Sequence, residues 1–464
     1  MLVYYFILAV CFYVIALIIR IKRSVFHNLA KSSVGLVNEL ITESEQDEKI
    51  DLIQKKTRLL ALSLAKILLL IVVAFAIGSI PLIGYTLITK TPFQGVNFTS
   101  TYAIIAISAG ATLAFYIPKA KKNKSDYSEL SRLLHHLALD NYNISNKLFK
   151  RESKKSSKKS LKKRNDFVII SGLARAGTTS LMNDLSQIDD FVSLNYANMP
   201  FIMSPNAWRK VYNPKSKNLK ERSHKDGIII GYDSNEALEE YFFKVKANDS
   251  YIHGSYMSEH EISESDYADY LQYHCNIKQD NQKIYLAKNN NFILRYNSVR
   301  TFNNDFLMVI LFRDPIIQAA SLKEKHEYYS KLQENDHFVL EYMNWLGHHE
   351  FGLNHKPFVF KNHPFDIDED KSLLEYWVKI WISYYEYVLT IDHQNTIFVS
   401  YDTYCREPDI TINRILEKSG IENKSIEKNP FINKRKSIDN IPDELNKKAQ
   451  ELYSKLLAFQ RVQN

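Results

Sequence analysis

Apolar positions along the chain fall into two regimes. Ahead of residue 126 they come in long runs: Leu2 to Ile19, Leu59 to Ile80 with only Lys66 inside, and Phe98 to Ile117. Runs of about 20 apolar residues have the length a helix needs to cross a bilayer. They predict three transmembrane helices, at about 2–20, 59–88 and 98–117. Beyond residue 126 the apolar positions are short and periodic. Tyr127 to Leu148 sets Leu130, Leu133, Leu134 and Leu137 at helical spacing. Phe167 to Ile170 and Phe306 to Phe312 are unbroken short runs, as in strands buried on both faces.

Further on, Ser372 to Leu389 places Leu373, Trp377, Ile380, Trp381, Tyr384 and Val388 on one helical face. Thr396 to Tyr401 is another short strand. Helices follow from Pro408 to Gly420 and from Pro442 to Phe459. This strand–helix alternation predicts an α/β fold, a P-loop-like parallel sheet flanked by helices, with its ligand at the strand tips. Three parts result: a membrane region over 1–125 with a loop at 21–58, a stalk helix and polybasic linker over 126–164, and a globular domain over 165–464.

Charge orients the membrane part. Arg20, Lys22, Arg23 and Lys31 follow the first run, Lys55, Lys56 and Arg58 precede the second, and Lys119, Lys121, Lys122 and Lys124 follow the third. The positive-inside rule puts the 21–58 loop and everything after Pro118 in the cytoplasm. The net charge of +8 has a local source, since Lys150 to Arg164 holds nine basic residues and one acid. No aromatic residues interleave these charges, which argues against a nucleic-acid arm and for a tether to anionic lipid. Cys11, Cys275 and Cys405 are scattered and form no metal or redox spacing.

The chemistry begins at Phe167–Leu185, where a strand meets a helix through Gly172, Leu173, Ala174, Arg175, Ala176, Gly177, Thr178, Thr179 and Ser180. Such a turn aims backbone N–H groups and a helix dipole at an anion. The spacing is close to the Walker A loop, but Thr178 stands where that loop has its lysine, so the turn is ill suited to cleaving nucleoside triphosphates. Arg175 is its cation. A second anion site is expected where Phe306–Phe312 ends in Arg313, with Asp314 capping a helix that starts at Pro315 and carries Ser321.

These two motifs, in this order and separated by a polar, aromatic insertion over 189–285, resemble the sulfotransferases. The late FVSYD stretch adds to the likeness, which covers about Asn165 to Phe459 and is strongest to bacterial members; this chain would be a membrane-anchored one, in the bacterial inner membrane with its catalytic domain cytoplasmic. The resemblance implies transfer of a sulfuryl group from 3′-phosphoadenosine 5′-phosphosulfate (PAPS), without a metal, to a hydroxyl of a glycan, glycolipid or other membrane-associated acceptor. Gly172, Arg175, Ala176, Gly177, Thr178, Thr179 and Ser180 would then hold the 5′-phosphosulfate, and Arg313 and Ser321 the 3′-phosphate. Arg435 and Lys436 match a further phosphate-binding pair, although Ser437 follows where the family has glycine.

Sulfuryl transfer needs a cation at the leaving oxygen and a base for the nucleophile. Arg175 suits the first role, and Lys288 is placed to contact the donor or the transferred group. The acidic base that some members carry about twenty residues past the loop is absent, since Asn195, Tyr196, Ala197 and Asn198 stand there. His224 is the first candidate by its near-neutral titration, and Glu240, with its neighbour Glu239, the second. Two other classes stay open: a nucleotide-dependent phosphotransferase, and a non-catalytic membrane scaffold that keeps the fold.

Overall fold

The computed structural model describes residues 2–462 apart from 23, 42–45, 91–99, 117–128, 158–160, 212–219, 222–228, 231–236, 279, 364–365, 422–425 and 432–440. It divides into two units, Met1–Asn143 and Ile144–Asn464.

The first unit is helical. Among the described residues, two helices are long and apolar enough to cross a membrane, Val3–Ile21 and the Leu52–Thr89 stretch. The second of these is broken near Ser79, between Gly78 and Pro81, into helices Gln46–Gly78 and Ile80–Thr89. Proline at the start of the second piece explains the break, because it has no N–H to continue the ladder. The third apolar run is helix over Thr101–Tyr116, and 91–99 and 117–128 on either side lie outside the described residues. It packs on the first helix through Leu8, Ala103 and Ala106. The expected 21–58 loop is largely helical, with a helix at Ser24–Ile41 tied to the next by Ser32 Oγ and Ser63 Oγ at 3.2 Å.

The expected stalk is two helices, Glu129–Leu139 and Tyr142–Ser156, parted at Asp140 and Asn141. Asp140 bonds back to His136 Nδ1 at 2.9 Å, a local bond of the kind by which Asp competes with a continuing helix. The second helix runs into the basic stretch, and its one acid explains why. Glu152 is buried and accepts from the Asn206 amide at 3.2 Å and the Ala207 amide at 2.8 Å, capping helix Pro205–Val211. Lys162 N donates to Asn281 Oδ1 at 2.7 Å, and Lys163 Nζ to the Ala268 carbonyl at 2.9 Å. Half of the polybasic stretch is therefore built onto the second unit.

That unit carries a five-stranded sheet among the described residues: β1 (Val168–Ser171), β2 (Phe191–Val192), β3 (Ile284–Lys288), β4 (Leu307–Phe312) and β5 (Thr396–Ser400). All pairings are parallel, in the order β2-β3-β1-β4-β5. The strands are buried throughout except at their ends, which accounts for the unbroken apolar runs. On one face Val168, Ile170, Ile284, Leu286, Leu307, Val309, Leu311, Ile397 and Val399 pack with Leu181, Met182 and Leu185 of helix Thr178–Leu185. The insertion is more regular than its composition suggests, with helices Pro205–Val211, Glu240–Ala247 and Glu264–Lys278.

Candidate active site

Side chains alternate along a strand, so each apolar row on that one face has a next member at the strand tip. Ile284–Leu286 leads to Lys288, Leu307–Val309–Leu311 to Arg313, and Ile397–Val399 to Tyr401. Three chemistry-bearing residues thus line up along the C-terminal edge of the sheet, on the side where helix Thr178–Leu185 begins. Strand order reverses direction around β1, which makes this edge the crevice in which open α/β sheets bind ligands.

The turn after β1 is shaped by close approaches. Gly172 has φ +150° and Gly177 φ +96°. A Cβ on Gly172 would collide with the Leu311 carbonyl oxygen, and one on Gly177 would land on the Tyr401 ring. Arg175 itself is left-handed, at φ +70°, a conformation that costs a non-glycine residue about 1–3 kcal/mol and collects at functional sites. The turn is braced from below: Gln318 Nε2 donates to the Leu173 and Ala174 carbonyls at 2.9 and 3.0 Å, while Gln318 Oε1 accepts from Trp381 Nε1 at 3.0 Å. The Ala176 amide turns back to the Leu173 carbonyl at 3.2 Å and the Ser180 amide to the Gly177 carbonyl at 3.0 Å, while Thr178 and Thr179 stand in the first turn of the helix, where amides have no carbonyl of the preceding turn to meet.

The residues expected to form a second anion site lie beside it. Asp314 Oδ1 accepts from the Ile316 and Ile317 amides, both at 3.0 Å, and caps helix Pro315–Asn335 as the sequence predicts. Ser321 is fully buried, and its Oγ accepts from Arg175 Nε at 3.0 Å. The Arg313 guanidinium carbon lies 4.9 Å from the centre of the Tyr401 ring. Burial pushes the Tyr401 hydroxyl up to about 12, Cys405 adds to this, and Arg313 and Arg175 both pull against it. That hydroxyl stays protonated as a donor at neutral pH. Tyr401 went unassigned in the sequence although its signal was there, as the residue that follows a buried strand in step with Arg313.

Among the other expected residues, Lys288 sits at the tip of β3 beside Ile170 in register. Glu240 does not present itself as a base. It is buried, its oxygens meet Arg295 Nη1 and Nη2 at 2.6 and 2.7 Å, and Tyr251 and Asn289 also donate to it. Its neighbour Glu239 is also buried, with Tyr270 and Asn289 as donors, and burial pushes its carboxyl up to about 7. His224 and the Arg435–Lys436 pair lie outside the described residues. No group of three His, Cys, Asp or Glu close enough to hold a metal occurs among the described residues.

No family model matches the chain, and no curated protein matches it by sequence. Solved structures to which it is similar include a sulfotransferase from Alicyclobacillus acidocaldarius, at 11% identity and a TM-score of 0.32, covering 64% of this chain and 94% of that one. The sulfotransferase STF1 of Mycobacterium tuberculosis aligns at 13% identity and a TM-score of 0.33, over 81% of this chain and 93% of its own. STF9 of Mycobacterium avium aligns at 11% and 0.36, over 80% and 86%.

Proposed function

We propose that the chain is a sulfotransferase that moves the sulfuryl group of PAPS to a hydroxyl of a membrane-associated glycan or glycolipid. One observation carries the reading: Arg175 Nε, in the turn after β1, donates to Ser321 Oγ at 3.0 Å, and Arg313, at the tip of the adjacent β4, lies over the Tyr401 ring against which Gly177 of the same turn packs. Two cationic sites joined in this way suit a single ligand with an anionic group at each end. Gly172, Arg175, Ala176, Gly177, Thr178, Thr179 and Ser180 take its phosphosulfate end, and Arg313 and Ser321 its 3′-phosphate. With threonine rather than lysine after Gly177, the turn lacks the group that a triphosphate-cleaving loop places on the terminal phosphates.

In the reaction the acceptor oxygen attacks sulfur in line, a new O–S bond forms, and the bridging S–O bond to the 5′-phosphate breaks. The electron pair leaves with the phosphate, where Arg175 and the amides of the turn stabilise the growing charge. Helices Val3–Ile21 and Leu52–Thr89 anchor the chain, and the basic flanks place the second unit on the cytoplasmic side of a bacterial inner membrane. The exposed Lys150, Arg151, Lys154, Lys155 and Lys162 face anionic headgroups.

Titrating the detergent-solubilised chain with adenosine 3′,5′-bisphosphate, and separately with Mg-ATP, tests the donor assignment. The bisphosphate is expected to bind more tightly, and preference for Mg-ATP overturns the reading. Incubation of labelled PAPS with lipid and glycan extracts, read as a mass gain of one sulfate, identifies the acceptor.

A further inference from the structure

If the donor is held at these strand tips, a base is needed beside Lys288, and the described residues narrow the choice. Most histidines of the second unit are spoken for. His349 is buried, with Nδ1 on the Asn354 carbonyl at 2.9 Å, and His355 is buried against Tyr376 OH at 2.9 Å. His260 accepts from Arg295 Nε at 2.8 Å, and His326 accepts from the Gly352 amide at 3.2 Å. His274 is wedged between Tyr270 and Tyr285.

His348 differs from all of these. It lies in the loop after helix His337–Trp345, its side chain is 20% exposed, and its Nδ1 is 3.7 Å from Glu350 Oε1. Its Nε2 has no hydrogen-bond partner among the described residues. The loop is held rigidly against the strand tip: Asn291 Nδ2 donates to the Gly347 carbonyl at 2.8 Å, the His348 amide to the Met343 carbonyl at 2.9 Å, and Asn354 Nδ2 to the His348 carbonyl at 2.8 Å. Although burial pushes the Glu350 carboxyl up, His348 and Lys288 together with a backbone amide hold it down at about 2. Glu350 is thus an anion that feels both the imidazole 3.7 Å away and the charge of the lysine at the end of β3.

We propose that His348 takes the proton from the acceptor hydroxyl, with Glu350 as its positioning residue and Lys288 turned toward the transferred sulfuryl group. This rests on the sulfotransferase reading. As the acceptor oxygen bonds to sulfur, its proton passes to His348 Nε2; the bridging S–O bond breaks and its electron pair departs on the 5′-phosphate. The Glu350 carboxylate, 3.7 Å from Nδ1, favours the proton on that nitrogen and so leaves Nε2 able to accept. The charged groups facing the loop are Glu350 within it, Lys288 from β3, Glu240 and Lys244 from helix Glu240–Ala247 beneath Gly347, and Lys356 just after it.

The test uses the full-length chain in detergent with ³⁵S-labelled PAPS and a total membrane extract, counting label lost from the donor to any acceptor, water included. His348→Ala and the bulkier His348→Gln should each slow this loss about 10²–10⁴-fold and leave the affinity for adenosine 3′,5′-bisphosphate within about threefold. Glu350→Gln should move the acidic limb of the rate profile to lower pH, because the imidazolium loses its neighbouring anion. Turnover within about threefold in both His348 variants, loss matched by an equal loss of bisphosphate affinity, or an unmoved acidic limb in Glu350→Gln each overturns the assignment and leaves the sulfotransferase reading standing. A native chain that binds the bisphosphate but releases no label overturns the base as well. One that does neither overturns the functional reading, and the base falls with it.

Discussion

Arg175 Nε donates to Ser321 Oγ at 3.0 Å, joining a turn after the first strand to a helix that starts after the fourth. In sequence the two residues belong to separate motifs, one for each end of a ligand. In space they are one polar surface, closed on its other side by Tyr401, against which Gly177 packs and over which Arg313 lies. An anion entering the turn competes with Ser321 for Arg175, so binding at one end is felt at the other.

The two arginines should therefore fail differently. On the proposed function, Arg313→Ala would remove a charge-assisted contact to the 3′-phosphate, worth about 1.5–3 kcal/mol, and should weaken adenosine 3′,5′-bisphosphate by about 10–100-fold in a calorimetric titration. Arg175→Ala acts where charge grows on the leaving oxygen, so the rate of sulfate transfer should fall further than bisphosphate affinity does. Equal losses of affinity and rate in both variants would show that the two sites are not specialised in this way.

Gly177 offers a sharper geometric test. Its φ of +96° is costly for any other residue, and a Cβ would occupy space that the Tyr401 ring fills. Gly177→Ala should lower the unfolding free energy by about 1–3 kcal/mol and abolish bisphosphate binding. On a Tyr401→Ala background the same glycine change should cost less, because the clash is gone and only a backbone strain of ~1 kcal/mol remains. A double-mutant cycle in denaturant reads that coupling directly, and strictly additive effects would place the ring elsewhere.

Much of this site could be read from the chain because its signals are local. Seven apolar residues ending in Arg313, Asp314 and Pro315 announce a buried strand, a cation and a capped helix, and the cap is there with both amide bonds. What stayed hidden depends on partners far along the chain. Nothing near Glu240 says that Arg295 will meet it, 55 positions on. Glu152 looks like a stray acid in a basic run until Asn206 and Ala207 arrive to be capped. His348 has no motif of its own, and Tyr401, although it stands in FVSYD and in step with Arg313, gives no sign there of the turn it will meet; strand register and loop packing supply both.

The Glu240–Arg295 pair carries its own prediction. Arg295 is sandwiched by Phe243 and Tyr251, with its guanidinium carbon 4.2 and 5.1 Å from the two ring centres. Arg295→Met would leave a buried carboxylate without its partner and should cost about 3–5 kcal/mol, whereas the double change with Glu240→Leu should recover much of that. Denaturation midpoints of the two variants decide it. A folded Glu240→Gln chain should keep the acidic limb of its rate profile, as expected of a residue that supports the fold and takes no proton.

Acid should unfold the second unit earlier than its carboxylates alone would dictate. Burial, aided by neighbouring cations, holds His260, His349 and His355 at about 3, well below the ordinary 6.5. Stability from groups lowered in this way is complete above 6.5 and is lost as pH falls toward 3, because the unfolded chain binds protons that the fold refuses. Glu239 works in the opposite sense: burial raises its carboxyl from 4.5 to about 7, so its contribution is present below 4.5 and is lost as pH rises through 7. Between 6.5 and 4.5 these histidines, joined by His274 and His326, which burial also lowers, oppose Glu239, so unfolding should take up protons and stability should fall with pH. Below 4.5 Glu350, held at about 2, adds a further loss. Urea midpoints of the full chain in detergent, measured from pH 8 to 4, should stay nearly level to about 6.5 and then fall steeply; a midpoint that rises on acidification would show Glu239 outweighing the histidines.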